Sequence, residues 1–185
     1  WWDDMRLTID LLLGMINDML DVYQESYSGL PLLTSTVSVK GLVADVAQLF
    51  RSEATAKGII FHIEMPDNDV TITADRRRLL RVLINIVHNA LKFSPQGGTI
   101  TVTVHTEARE YTSGESPHVS FSQAIIQVAD EGLGIAPEDL PHLFEMFGRR
   151  KDPGDIRIGR GLGLHFCHLV VAAHRGRIRA ENRSS

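Results

Sequence analysis

The longest regular pattern in the chain links Met5, Ile9, Leu12, Ile16, Met19 and Tyr23 at spacings of 4, 3, 4, 3 and 4. That is a heptad seam, and Leu13 and Leu20 broaden it as packing in a helix bundle requires. One helix cannot bury such a stripe alone, so residues 1 to 28 predict a helix with a partner surface. SYSGLP ends it at Gly29 and Pro31. After a short extended piece around LLTSTV, Ser38 is placed to cap a second helix. Its stripe is Leu42, Val43, Val46, Leu49 and Phe50, and Gly58 ends it. IIFHIEM and VTITA read as strands rich in β-branched residues, and Asp75 caps a long helix behind them. Gly97 and Gly98 turn the chain into the strand TITVTV, and AIIQVAD is another strand. The polar EAREYTSGESPH between them predicts an inserted hairpin loop. Pro137 opens a short helix through Phe147, RRKDPGDIRIG is a polar loop, a last helix runs from about Leu162 to His174, and RGRIRAEN begins a strand.

With 185 residues, the chain has room for one ordinary domain and an appendage. Its net charge of −4 does not suggest general nucleic-acid binding. One cysteine, Cys167, excludes an internal disulfide framework and suits a reducing compartment; in its apolar helical run it reads as a small core residue. No apolar run is long enough for a membrane span, and no signal-peptide pattern opens the chain, so this portion is expected to be soluble and cytoplasmic. The opening WWDD, without a methionine, reads as part of a longer protein.

Chemistry first shows within residues 83 to 93, LINIVHNALKF. Asn85, Asn89 and Lys92 stand at i, i+4 and i+7, on one helix face, while Leu83, Ile84, Ile86, Val87, Ala90 and Leu91 form a core-facing surface. A buried asparagine without a partner is costly, yet by themselves the two amides read equally well as caps for neighbouring loops. His88, between them, reads as a helix-face residue with no catalytic role. Asp130 ends a strand just before EGLGI. A carboxylate there can accept from an exocyclic amino group, and Gly132 and Gly134 let the backbone approach a flat ring. Alone, the pattern reads first as a glycine-rich turn. Phe144 and Phe147 are spaced for one helix face, as in ordinary core packing. GRGLGL sets Gly159, Gly161 and Gly163 before a helix, where free N–H groups favour phosphate. It is neither a dinucleotide fingerprint, because Leu164 stands where glycine is needed, nor a P-loop.

In this order, N-x-x-x-N-A-L-K-F, D-x-G-x-G-I, F-x-x-F and G-x-G-L-G-L resemble the N, G1, F and G2 boxes of sensor histidine kinases. Those are ATP-binding domains of the GHKL superfamily, which also holds DNA gyrase, Hsp90 and MutL. The resemblance covers residues 5 to 182, with INDMLD similar to the second helix of the dimerisation and phosphotransfer domain. It implies an α/β two-layer sandwich, a mixed, largely antiparallel sheet under three helices, preceded by a long N-terminal helix. It also implies three parts: residues 1–28 as the phosphotransfer-domain helix, 29–37 as a linker, and 38–185 as the catalytic domain. By this resemblance Asn89 coordinates Mg²⁺ with Asn85 one turn away, and Lys92 neutralises phosphate charge, so that Asn85 and Lys92 are the catalytic pair. Asp130 reads the adenine amino group beside Gly132 and Gly134. Phe144 and Phe147 anchor a lid over residues 148 to 160, and Gly159, Arg160, Gly161, Leu162, Gly163 and Leu164 hold the outer phosphates. Of the basic residues Arg149, Arg150, Lys151, Arg157 and Arg160, most read as outward charges of a solvated loop, and Arg157 or Arg160 is the one favoured to clamp ATP.

In gyrase-type and Hsp90-type relatives a glutamate at the position of Asn85 activates water. An amide cannot take that proton, which favours a kinase over a hydrolase. The acceptor expected by resemblance is a histidine followed by an acidic residue. None of the eight histidines here is so followed, and the acceptor helix is therefore expected before residue 1. The implied partners are that helix of the same protein, a response regulator and, through the N-terminal seam, a second copy. A degenerate nucleotide-binding regulatory module and a GHKL ATPase are the alternatives. His165, His168 and His174 lack the companions a metal site needs and read as packing. The chain also stops at ENRSS, before a final strand usual in the family, so one sheet edge is expected to be incomplete.

Overall fold

The computed structural model describes residues 30–111, 119–146 and 162–183. The expected N-terminal helix, the lid, Phe147, Gly159, Arg160 and Gly161 lie outside these residues. The chain divides into two compact units, Thr34–Leu133 and a second that includes Gly134–Ser185.

The first unit runs β1 (Ser35–Ser38), α1 (Val39–Ala56), β2 (Ile60–Glu64), β3 (Thr71–Ala74), α2 (Arg76–Phe93), β4 (Thr99–Tyr111) and β5 (Val119–Ala129). Both helices start where the sequence caps them. The Ser38 hydroxyl accepts from the Gly41 N–H at 2.9 Å, and Asp75 Oδ1 accepts from the Arg78 N–H at 3.1 Å. Asp75 is itself buried, with Arg78 Nε 3.6 Å from its other oxygen. At the far end of α1 the chain turns through Gly58 at φ +64°, a conformation that favours glycine.

The strands form two ladders. β1 and β3 pair antiparallel, Ser35 opposite Ala74. The other ladder has the order β2-β4-β5 and is mixed: β2 and β4 are parallel, Ile60 opposite Thr99, whereas β4 and β5 are antiparallel, Thr101 opposite Ala129. On β4, Ile100, Val102 and Val104 are buried and the residues between them less so, the period-two pattern of a sheet covered on one face. The helices form that cover. Leu42, Val46, Phe50 and Ala54 of α1 and Leu83, Val87, Ala90 and Leu91 of α2 join Ile59 and Ile100 in one cluster; Val39, Val43, Val102 and Val104 make a second. Each fully buried leucine here contributes about 1.5–3 kcal/mol.

Four expectations need correction, the last of them after α3. Leu49 is 58% exposed rather than part of the α1 stripe, because the buried side centres on Val39, Val46 and Phe50 and leaves Leu49 at its margin. The polar segment expected as a loop is partly strand: β4 reaches Tyr111 and β5 begins at Val119, with Glu107 opposite Gln123. Thr106, Glu107 and Ala108 are exposed, so their polarity marks a hairpin outrunning its core while the ladder continues. In the second unit, the helix expected from Pro137 through Phe147 is, among the described residues, only a 3-10 helix, Leu140–His142. Successive i→i−3 bonds, from the Leu143 N–H to Leu140 and from the Glu145 N–H to His142, replace the α pattern, since Pro141 has no N–H to donate.

The second unit also holds α3 (Leu162–Ala173), with Phe166, Cys167 and Val170 buried. It ends through Arg175 at φ +59°, and the Gly176 N–H bonds back to the Val171 carbonyl at 2.9 Å. The strand expected from RGRIRAEN does not form among the described residues. A side chain takes the place of a ladder there: Asn182 engages the backbone of Ile135.

Candidate functional site

The amide face of α2 lies in the first unit. Asn85 and Asn89 are half-buried and Lys92 is exposed, its Nζ 5.7 Å from the Phe93 ring centroid. Asn85 Nδ2 is buried without a hydrogen-bond partner among the described residues. Leaving such a group unsatisfied costs about 1–3 kcal/mol. His88 belongs to another face and stacks on Phe50, centroids 6.2 Å apart and planes 21° from parallel. Desolvation against Phe50 lowers its pKa from the ordinary imidazole value; Glu53 opposes this, while Lys92 and Lys57 add to it. Lys57 also fixes the end of α2. Its Nζ donates to the Leu91 carbonyl at 3.0 Å and lies 3.4 Å from Glu53.

The loop after β5 closes on that helix end. Asp130 Oδ1 accepts from the Gly132 N–H at 2.8 Å, and Glu131 Oε2 accepts from the Thr99 N–H at 3.1 Å. Gly132 has no room for a side chain: a Cβ would lie 2.7 Å from Asp130 Oδ1 and 2.9 Å from the Phe93 carbonyl oxygen. The turn carrying Asp130 is therefore packed against the residue that follows Lys92. Asn85, Asn89, Lys92, Asp130 and Gly132 thus belong to one unit, and Gly132 brings the two motifs into contact.

In the second unit, Gly134 adopts φ +73° beside Asn182. The Phe144 carbonyl lies 2.9 Å from His165 Nδ1, and the Phe144 ring is 6.4 Å from that of His168, so both histidines pack around this phenylalanine. Leu162, Gly163 and Leu164 form the first turn of α3, half-buried. Among the described residues no group of three or more His, Cys, Asp or Glu is arranged to hold a metal ion, and no helix is long and apolar enough to cross a membrane. Sequence reasoning missed Lys57, Glu131 and Asn182. Glu131 adjoins a carboxylate already singled out, but nothing local marks the long-range partners of Lys57 and Asn182.

Residues 74–185 match the family described as histidine kinase-, DNA gyrase B-, and HSP90-like ATPase. The chain is 31% identical to the histidine protein kinase DivJ of Caulobacter vibrioides, over 93% of its own length and 27% of that protein's. It is 30% identical to the sensor protein SphS of Synechococcus elongatus, over 97% of its own length and 44% of that protein's. It therefore spans less than half the length of these relatives. Among known structures, full-length ShkA in complex with AMPPNP is similar with a TM-score of 0.75 and 27% identity, covering 98% of this chain and 35% of that one. The nucleotide-free catalytic domain of the histidine kinase ThkA gives 0.64 and 26%, covering 82% and 88%. The order of motifs, the mixed sheet beneath its helices and a family match over most of the chain lead to one conclusion: the chain belongs to the histidine kinase-, DNA gyrase B- and HSP90-like ATPase family.

Proposed function

We propose that this chain is the ATP-binding catalytic portion of a sensor histidine kinase, transferring the γ-phosphate of ATP to a histidine outside it for relay to a response-regulator aspartate. The observation that carries this reading is Asn85. Its amide, with an Nδ2 buried and without a partner among the described residues, stands where hydrolytic relatives need a base. An amide can donate and accept hydrogen bonds but cannot take a proton from water, so phosphate is kept for another nucleophile. The relatives named as histidine kinases, and the ShkA complex with an ATP analogue, support the same reading.

Each residue has a role within this proposal. The Asp130 carboxylate, oriented by the Gly132 N–H, accepts from the adenine amino group. Gly132 and Gly134 leave the ring a side-chain-free approach, and the Lys92 ammonium meets phosphate charge. Phe144 and Phe147 anchor the lid, and Gly159 through Leu164 supply backbone donors to the outer phosphates. The donor set on α2 fits Mg²⁺, a hard cation that takes amide oxygens and keeps several waters. Asn89 would hold it, with Asn85 beside it. When bound, the metal would neutralise phosphate charge. Residues 1–28 are proposed as the phosphotransfer-domain helix, 29–37 as a linker and 38–185 as the catalytic domain, working in the cytoplasm.

Calorimetry with ATP, with and without Mg²⁺, tests the site. The Asn89→Ala variant should lose the increment in affinity that the metal confers and keep the metal-free affinity. Equal losses in both conditions would remove Asn89 from the metal. Dimerisation is tested at the seam. Ile16→Asp buries a charge against the partner helix and should convert a weak dimer to monomer in sedimentation; a monomer before and after the change would exclude dimerisation of this chain.

A further inference from the structure

We infer that Asn182 is a positioning residue for the nucleotide site, an inference that rests on the nucleotide reading of Asp130, Gly132 and Gly134. Its amide bonds twice to a single residue 47 positions away: Oδ1 accepts from the Ile135 N–H at 2.9 Å, and Nδ2 donates to the Ile135 carbonyl at 2.7 Å. A partner strand would hold a backbone in this way, fixing the peptide planes on both sides of one residue. Here the segment after α3 forms no ladder among the described residues, and the asparagine supplies the pair instead.

The neighbouring glycine fits this reading. Gly134 sits at φ +73°, and a Cβ on it would lie 2.9 Å from Asn182 Oδ1. Glycine is therefore required twice, for its left-handed backbone and to admit the asparagine amide. The plane that Asn182 sets is the Gly134–Ile135 peptide, in the same D-x-G-x-G-I segment as Asp130. Asn182 is exposed, and hydrogen bonds open to water add little to global stability. Its effect falls on local geometry: without the clamp, the second half of the segment can rotate about Gly134, the residue least able to resist.

Three variants separate positioning from mere folding, with ADP affinity measured across pH and thermal unfolding followed in parallel. Asn182→Ala removes both bonds and should weaken ADP by about tenfold, the equivalent of losing one or two modest hydrogen bonds, with little change in unfolding midpoint. Asn182→Asp gives a signature that a structural role would not. Ionised, it can still accept from the Ile135 N–H but turns a second acceptor towards the Ile135 carbonyl. Protonated, it again offers one acceptor and one donor, as the amide does. Its affinity should therefore be weak at neutral pH and return towards wild type as pH falls through the carboxyl range. Glu181 and Arg183 flank the position in both proteins, so wild type at each pH is the reference. Asp130→Asn, which should weaken ADP whatever Asn182 does, distinguishes the two readings. Wild-type affinity for Asn182→Ala beside a weakened Asp130→Asn overturns the positioning role and leaves the nucleotide site standing. Wild-type affinity for both removes the site and the inference together. An Asp variant equally weak at every pH also overturns the clamp.

Discussion

Gly132→Ala should all but abolish nucleotide binding. The added methyl would lie 2.7 Å from Asp130 Oδ1 and 2.9 Å from the Phe93 carbonyl oxygen, closer than such atoms approach. Neither neighbour can yield cheaply. The Phe93 carbonyl is backbone at the end of α2, whose final turn is tied by Lys57 at Leu91 and by the Ser94 N–H at Ala90. The Asp130 oxygen is held by the Gly132 N–H itself, at 2.8 Å. Relief comes from opening the turn, which breaks that bond, turns the carboxylate and moves the loop from the helix carrying Asn89 and Lys92. Overpacking of this kind costs roughly 1–3 kcal/mol, and ATP affinity should fall by about a hundredfold or more because Asp130 and the ring approach are lost together. Asp130→Asn isolates one part. It keeps the size and replaces a charged acceptor with a neutral one, for an expected loss of about 1–3 kcal/mol. Calorimetry and thermal unfolding on both variants provide the check. Unchanged ATP affinity in Gly132→Ala, with the protein folded, would remove this turn from the site.

The same glycine shows how far the sequence could be read. D-x-G-x-G could mark Gly132 as a place of close approach, but not that the nearest atom is the Phe93 carbonyl. Local signals proved dependable: Ser38 and Asp75 cap their helices, and apolar alternation on β4 marks the buried face, because each rests on neighbours a few residues away. Signals that depend on partners did not. A polar composition concealed the outer half of the β4–β5 hairpin, since a ladder needs only backbone once a partner strand lies alongside. RGRIRAEN has strand-like alternation but no ladder among the described residues, and its far end is tied by the Asn182 side chain. The α2 face could be placed by spacing alone, whereas its chemistry required the family's motif order. That Asn85 Nδ2 is buried without a partner among the described residues depends on packing that no local sequence signal carries.

The chain should bind ATP yet neither label itself nor release phosphate quickly. The first half of that expectation rests on the nucleophile. The acceptor type expected for this family is a histidine followed directly by an acid, and the eight histidines here are followed by Ile63, Asn89, Thr106, Val119, Leu143, Phe166, Leu169 and Arg175. Among the described residues, His62 lies 3.2 Å from Glu64, His105 3.7 Å from Glu107 and His142 3.0 Å from Glu145. These are exposed pairs, worth little energetically, and none is an acidic next residue. The second half rests on Asn85, whose amide cannot draw a proton from water. Incubation with γ-labelled ATP, followed by acid and base treatment, tests both. An acid-labile, base-stable label on this chain alone would make one of its histidines an acceptor, with His142 the first to replace. Rapid phosphate release without label would mean that a base other than Asn85 activates water, and the kinase assignment would give way to an ATPase. Supplying the acceptor helix in trans should instead move label onto that helix. Transfer should then depend on Asn85 and Lys92, with each replaced by alanine while ATP affinity is followed separately.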